Sequence, residues 1–132
     1  MPIKPTREQI KRLLEGDPKR PVVMLNLLRY ADRAADGAGI SGEESYKRYG
    51  DEMRTILEET GARLLWRGRA DSVVIGDDGE QWDEVLLVEY PSRKAFIEMT
   101  SRKDYEKTGE HRTRALVDSR LIAMTETYRA KE

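Results

Sequence analysis

The chain has no cysteine and a single histidine in 132 residues. Without thiols there is no disulfide framework, no thiolate metal site and no cysteine nucleophile. One imidazole is too few for a zinc site built from several histidines of one chain. Long apolar runs are missing too. None approaches the ~18–20 residues of a membrane span, and the first residues lack the basic, apolar and small-residue succession of a signal peptide. Neither sign of charge dominates: 24 Lys and Arg face 25 Asp and Glu, a net charge of -1. A protein that binds nucleic acid by neutralising many phosphates shows a basic surplus, so that class is disfavoured. There is no Walker-type loop, since Gly37-Ala38-Gly39 lacks the following Lys-Ser/Thr pair. A G-x-S-x-G elbow and an H-E-x-x-H helix are likewise absent. The expectation is a cytoplasmic protein with no metal, no cofactor, and neither nucleic acid nor membrane as partner.

What is present is one domain's worth of chain, with hydrophobic and charged residues nearly equal at 38% and 37%, the balance of a highly charged globular surface. Thr6-Arg7-Glu8-Gln9 has capping-box spacing, and Ile10, Leu13 and Leu14 then share one face before Gly16, which predicts a helix over 6–15. Asp17-Pro18-Lys19-Arg20-Pro21 disfavours helix and reads as a rigid connector. Residues 22–29, VVMLNLLR, form an apolar run of strand length broken only by Asn26, the pattern of a central strand buried on both faces. Residues 30–42 carry three glycines and read as a long loop. Ser41-Gly42-Glu43-Glu44 repeats the capping-box pattern, and Tyr46, Tyr49, Met53, Ile56 and Leu57 follow at helical spacing up to Gly61.

A β-prone stretch over 62–75 holds Gly68, a candidate bulge. Gly76-Asp77-Asp78-Gly79 reads as a hairpin turn rather than a cation loop, and 82–90 as the returning strand. Ser92 is an N-cap candidate for a helix that turns Ala95, Phe96 and Met99 inward. A break near Ser101 precedes a second helical piece over 103–117, and 120–127 is the last strand. After the first helix the order is β-α-β-β-α-β, the ferredoxin-like α+β arrangement, a four-stranded antiparallel sheet with strand order 4-1-3-2. Residues 1–20 form an N-terminal helix and connector, and residues 21–132 the ferredoxin-like domain. The helices cover one sheet face. Central strands apolar on both sides leave the other face to be buried, which a homodimer packing sheet against sheet would accomplish.

Side-chain alternation sorts the two central strands. Val23, Leu25 and Leu27 are all apolar, whereas Met24, Asn26 and Leu28 include an amide. Leu86, Val88 and Tyr90 are more apolar than Val85, Leu87 and Glu89. If the cleaner sets face the helices, Asn26 and Glu89 fall together on the opposite face, on strands taken as parallel neighbours, and Glu89 needs a cationic or hydrogen-bonding partner.

The segment Pro21-Val22-Val23-Met24-Leu25-Asn26-Leu27-Leu28-Arg29-Tyr30 resembles the opening strand of the family called domain of unknown function 1330. Tyr46-Lys47-Arg48-Tyr49 and the spacing from Ser92 through Tyr105 to Arg112 resemble its helices. The resemblance spans residues 21–127, omits the N-terminal helix, and meets a longer loop at 30–42. It implies a dimeric α+β barrel, two ferredoxin-like subunits joining their sheets. That superfamily includes cofactor-free monooxygenases, haem-degrading enzymes, haem-dependent peroxidases, muconolactone isomerases and stress-response dimers, so the resemblance selects no single reaction.

Several residues are candidates for ligand contact. Asn26, a mid-strand amide, meets either a ligand or neighbouring protein groups. Tyr46, Tyr49 and Tyr105 occupy inward helical faces, where aromatics ordinarily pack as core, yet their hydroxyls need partners. Arg112 either grips a ligand carboxylate bidentately or pairs with a protein carboxylate, the commoner fate. Asn26, Trp66 and His111 superficially match the Asn, Trp and His of haem-degrading relatives. Trp66 falls on the second strand, however, and His111 stands among Glu110, Arg112 and Arg114, where a histidine is ordinarily solvated or structural. The functional expectation is a homodimer that holds a small organic molecule; whether it is an enzyme stays open, and if it is one, cofactor-independent oxygenation or isomerisation is the chemistry that the resemblance implies. The alternative is a non-catalytic stress or accessory dimer.

Overall fold

The computed structural model describes residues 3–35 and 39–131; part of the long loop, residues 36–38, lies outside the described residues. The elements are α1 (Arg7–Leu14), β1 (Val22–Tyr30), α2 (Gly42–Thr60), β2 (Arg63–Arg69), β3 (Glu84–Tyr90), α3 (Arg93–Thr100), α4 (Lys103–Ala115) and β4 (Leu116–Met124). The four strands form one antiparallel sheet in the order β2-β3-β1-β4, which is 4-1-3-2 read from the other edge. This is a ferredoxin-like α+β fold.

Local chemistry sets the helix ends. Thr6 and Gln9 make a full capping box, each side chain bonding the other's backbone N–H, at 3.1 and 2.8 Å. Ser41 Oγ accepts from Glu44 N at 3.0 Å, and α2 stops at Gly61, whose φ of 75° is the left-handed turn that glycine adopts without strain. Ser92 Oγ accepts from Ala95 N at 3.0 Å to start α3.

Two buried clusters lie between sheet and helices. Val22, Met24, Val88 and Tyr90 pack on Met53, Ile56, Phe96 and Met99, while Leu28 and Leu86 pack on Tyr46, Ala115 and Leu116. The helix-facing residues of β1 are therefore the even-numbered ones. This overturns the sorting of the first strand: Asn26 faces the helices, and the all-apolar set of Val23, Leu25 and Leu27 faces away. The physical reason is that the outer face is the more hydrophobic side of this strand, while the helix side borders a cavity that admits an amide. On β3 the sorting holds, with Leu86, Val88 and Tyr90 inward. The strands β1 and β3 are adjacent and antiparallel, as the expected antiparallel sheet requires and not parallel as the sorting of faces took them, and their register sets Asn26 opposite Leu86 and Glu89 opposite Val23.

The second and third strands are shorter than predicted. Pairing stops at Arg69 and resumes at Glu84. Residues 70–83 form an irregular connector, tied down by Ala70 N to Asp83 O at 3.0 Å and Asp83 N to Leu28 O at 2.7 Å. Val74 and Ile75, read as strand from their β-propensity, are 90% and 95% exposed with no neighbouring strand to pair them. The register shift in β2 falls between Leu64 and Trp66, not at Gly68. Gly68 instead leaves room for the Trp66 ring, which a Cβ there would meet at 2.2 Å. The last strand starts at Leu116, directly from α4, because its pairing with β1 begins there, Leu116 opposite Tyr30.

Candidate functional site: the cleft between helices and sheet

A cavity of about 1610 Å³ lies between the sheet and the helices, and the N-terminal segment forms part of its wall through Ile3, Pro5, Ile10 and Leu13. Arg112 Nη1 donates to the Ile3 carbonyl at 2.9 Å, and Arg93 Nη1 to the Leu13 carbonyl at 3.2 Å, so helices α4 and α3 hold that segment at both ends. The N-terminal helix and the residues before it are thus part of the cleft wall.

Strand β1 contributes Asn26, whose Nδ2 donates to the Met24 carbonyl at 3.3 Å. Helix α2 contributes Tyr46 and Tyr49, whose rings stack at a tilt with centroids 5.1 Å apart; Tyr30 extends the row at 5.7 Å from Tyr46. Helix α4 contributes Tyr105 and Arg112, and β3 contributes Tyr90, set edge-on to Phe96 at 5.1 Å. Among the described residues, the hydroxyls of Tyr46, Tyr49, Tyr90 and Tyr105 have no hydrogen-bond partner. Yet no fully enclosed side-chain nitrogen or oxygen there lacks one. These hydroxyls therefore open onto the cavity, even though the Tyr46 and Tyr90 side chains are otherwise buried. Burial pushes the Tyr46 phenol up to about 12, with Arg112 and Arg67 offsetting part of the rise. Burial raises Tyr49 and Tyr90 as well, again opposed by Arg112. All three are neutral donors at ordinary pH.

At one end of the cleft, Glu84 of β3 accepts from the Tyr30 hydroxyl and from both Nε and Nη2 of Arg67, the latter at 3.0 Å. Burial pushes the Glu84 carboxyl up, but hydrogen bonds from Arg67 and Tyr30 outweigh it and hold the group below its ordinary value. Burial and Glu84 together raise the Tyr30 phenol far above the usual tyrosine range.

The sequence candidates divide into three locations. Asn26, Tyr46, Tyr49, Tyr105 and Arg112 meet in the cleft. Trp66 and Glu89 lie on the outer sheet face, Trp66 opposite Leu87 and 56% exposed. Glu89 is held there by Arg63 Nε at 3.3 Å and Arg129 Nη2 at 2.9 Å. His111 sits at the contact of α2 and α4, its Nε2 2.8 Å from Glu52 Oε2, while Thr108 donates to the other oxygen at 3.2 Å. Asn26, Trp66 and His111 thus form no constellation, because strand alternation and helix pitch send them to three surfaces. The cluster of Tyr30, Arg67 and Glu84 was missed. Extending the parity of Leu86, Val88 and Tyr90 back by one step would have put the Glu84 carboxylate on the helix side.

A ferredoxin-like α+β protein with a phenol-lined cleft between helices and sheet is the class that fold and geometry define. The chain belongs to the family called domain of unknown function (DUF1330), whose model matches residues 38–126. Strand β1, which carried part of the sequence resemblance, precedes that segment. The chain is 36% identical to a protein of unknown function from Rhodopseudomonas palustris, with a TM-score of 0.89 over 96% of this chain and 98% of that one. A dimeric protein of unknown function with a ferredoxin-like fold from Bacteroides fragilis is 10% identical, with a TM-score of 0.56 over 83% of this chain and 100% of that one. Hydroxynitrile lyase from Passiflora edulis is 8% identical, with a TM-score of 0.60 over 86% of this chain and 100% of that one. At such identities the likeness is one of fold. No curated protein matches the chain.

Proposed function

We propose that the protein is a homodimer, sheet against sheet, in which each protomer holds a small organic molecule in its helix–sheet cleft. The observation that carries this reading is the set of four tyrosine hydroxyls that open onto the cavity without partners, in an interior where every fully enclosed side-chain polar atom among the described residues has one. Polar groups converging on a space lined by Met24, Met53, Leu86 and Phe96 are what binds and orients a small molecule. In this reading Asn26, Tyr46 and Tyr49 orient the ligand, and the chemistry is cofactor-independent oxygenation or isomerisation of an aromatic or carbonyl compound. What supports the homodimer is the outer sheet face, where Leu25, Leu27, Leu87 and the half-exposed Ile122 offer an apolar surface to a second copy. The dimeric relative from Bacteroides fragilis lends this support by analogy.

Two measurements test the proposal. Sedimentation equilibrium at micromolar concentration should give a dimer, and a single monomeric species overturns that half. A thermal-shift screen of small aromatic and carbonyl compounds should yield ligands that raise the Tm of the native protein. Introducing Tyr46→Trp, which fills the cleft, should abolish the rise. Ligands that stabilise this variant equally would place binding elsewhere.

A further inference from the structure

The charge of the ligand rests on that cleft reading and follows from Arg112. Ion pairs are common across the molecule, and the neighbouring cleft arginine, Arg67, is held by Glu84. Arg112 differs: among the described residues no carboxylate lies within ion-pair distance of it, and its hydrogen bond is to the neutral carbonyl of Ile3, whereas Arg93, also without a carboxylate, bonds both the Leu13 carbonyl and Thr125 Oγ1. The expectation that it pairs with a protein carboxylate is not met. Asp51, Glu58, Glu106 and Glu110 also border the cavity, but all four are exposed, and Glu110 is turned to Arg114 at 3.3 Å.

The Arg112 side chain is half-buried, and its field reaches Tyr46, Tyr49 and Tyr90, the phenols that open onto the cavity. With Nη1 on Ile3, its Nε and Nη2 remain as the fork that suits a carboxylate. A cation removed from bulk water without a counter-charge is unfavourable, so an anionic ligand gains there what a neutral one does not. Beyond the guanidinium the walls are methionine, leucine and phenylalanine, which suit an apolar body. We infer that the cleft takes a small amphipathic monocarboxylate, its carboxylate on Arg112, its oxygens also within reach of tyrosine hydroxyls, and its apolar end against Met24, Met53 and Phe96. Because Arg112 also holds Ile3, the same side chain joins the ligand to the N-terminal segment over the cleft.

The test is calorimetric titration of the full chain with matched acid and amide pairs: phenylacetate with phenylacetamide, and hexanoate with hexanamide. The Asn26 side-chain amide resonance serves as reporter of binding in the cleft. The acid should bind about tenfold or more tightly than its amide, the preference should vanish in Arg112→Ala, and Arg112→Lys should keep part of it. Circular dichroism establishes that each variant is folded; if Arg112→Ala is not, Arg112→Lys and the loss of acid binding with added salt carry the test. Amides that bind as well as acids, or a preference unchanged in both variants, overturn the carboxylate assignment and leave the cleft reading intact. Failure of every acid and amide to shift Asn26 overturns the assignment, and the cleft reading then depends on the thermal-shift screen.

Discussion

The two faces of the sheet use the same strands to opposite ends. On the helix side, Leu28 and Val22 are fully enclosed, yet phenols, an amide and an arginine point into open space between them. On the outer side the residues are more uniformly apolar, and the charged groups at their margin are matched: Glu89 with Arg63 and Arg129, and Asp118 with Arg120 at 2.6 Å. Arg120 also lies over the Trp82 ring, 5.1 Å from its centroid. Covered surface with unmatched polarity is suited to a small molecule. Exposed apolar surface with matched charges is suited to another protein surface. Hydrophobicity alone therefore does not tell the inside of this sheet from its outside.

The sharpest contrast between the faces comes from truncating one leucine on each. Leu28→Ala should cost about 2–5 kcal/mol in urea unfolding, because it empties a fully buried site that the surrounding elements cannot refill. Leu25→Ala, half-buried on the outer face, should cost about 1 kcal/mol within the protomer and show its larger effect in a concentration-dependent Tm. Equal, concentration-independent losses would erase the distinction.

Next in size is the charged end of the cleft. The Glu84 carboxyl is held below its ordinary value, so its ionised form stabilises the native state above the unfolded pKa, and that stability is lost as pH falls through the lower native value. Glu84→Gln should cost about 1 kcal/mol at neutral pH, discounted for the partial exposure of Arg67, and should flatten the acid limb of the stability curve. A variant whose acid limb parallels the wild type would remove Glu84 from that role. The smallest effect belongs to His111. Its pair with Glu52 is partly solvated on both sides, so His111→Ala should change stability by about 1 kcal/mol or less and leave ligand-induced Tm shifts intact. Loss of those shifts would bring the histidine back to the site.

Much of this was legible in the residues themselves. Thr6, Ser41, Gly61 and Ser92 marked helix ends because capping is a local hydrogen-bond problem, solved within a few residues. The strand order followed from the alternation of elements. Tyr46, Tyr49, Tyr105 and Arg112 were recognisable from helical spacing. The facing of Asn26 was not, since it depends on which side of β1 receives the helices and on a cavity that only the assembled fold creates. Val74 and Ile75 have strand-forming side chains, but strand formation needs a partner, and none is in reach. Arg67 and Glu84 escaped notice because each looks like an ordinary surface charge until β2 and β3 are in register.

The junction at the end of β1 governs how the chain can vary. Gly42 N donates to Ala31 O at 3.0 Å and Ala31 N to Ala115 O at 2.8 Å, while a Cβ on Gly42 would stand 2.3 and 2.4 Å from those two carbonyl oxygens. Ala34 N to Ile40 O, at 2.9 Å, joins the two arms of the loop a second time. These backbone bonds fix how the chain passes from β1 into α2 whatever side chains the loop carries. Position 42 therefore accepts no added methyl, and the entry to α2 can vary around it but not at it.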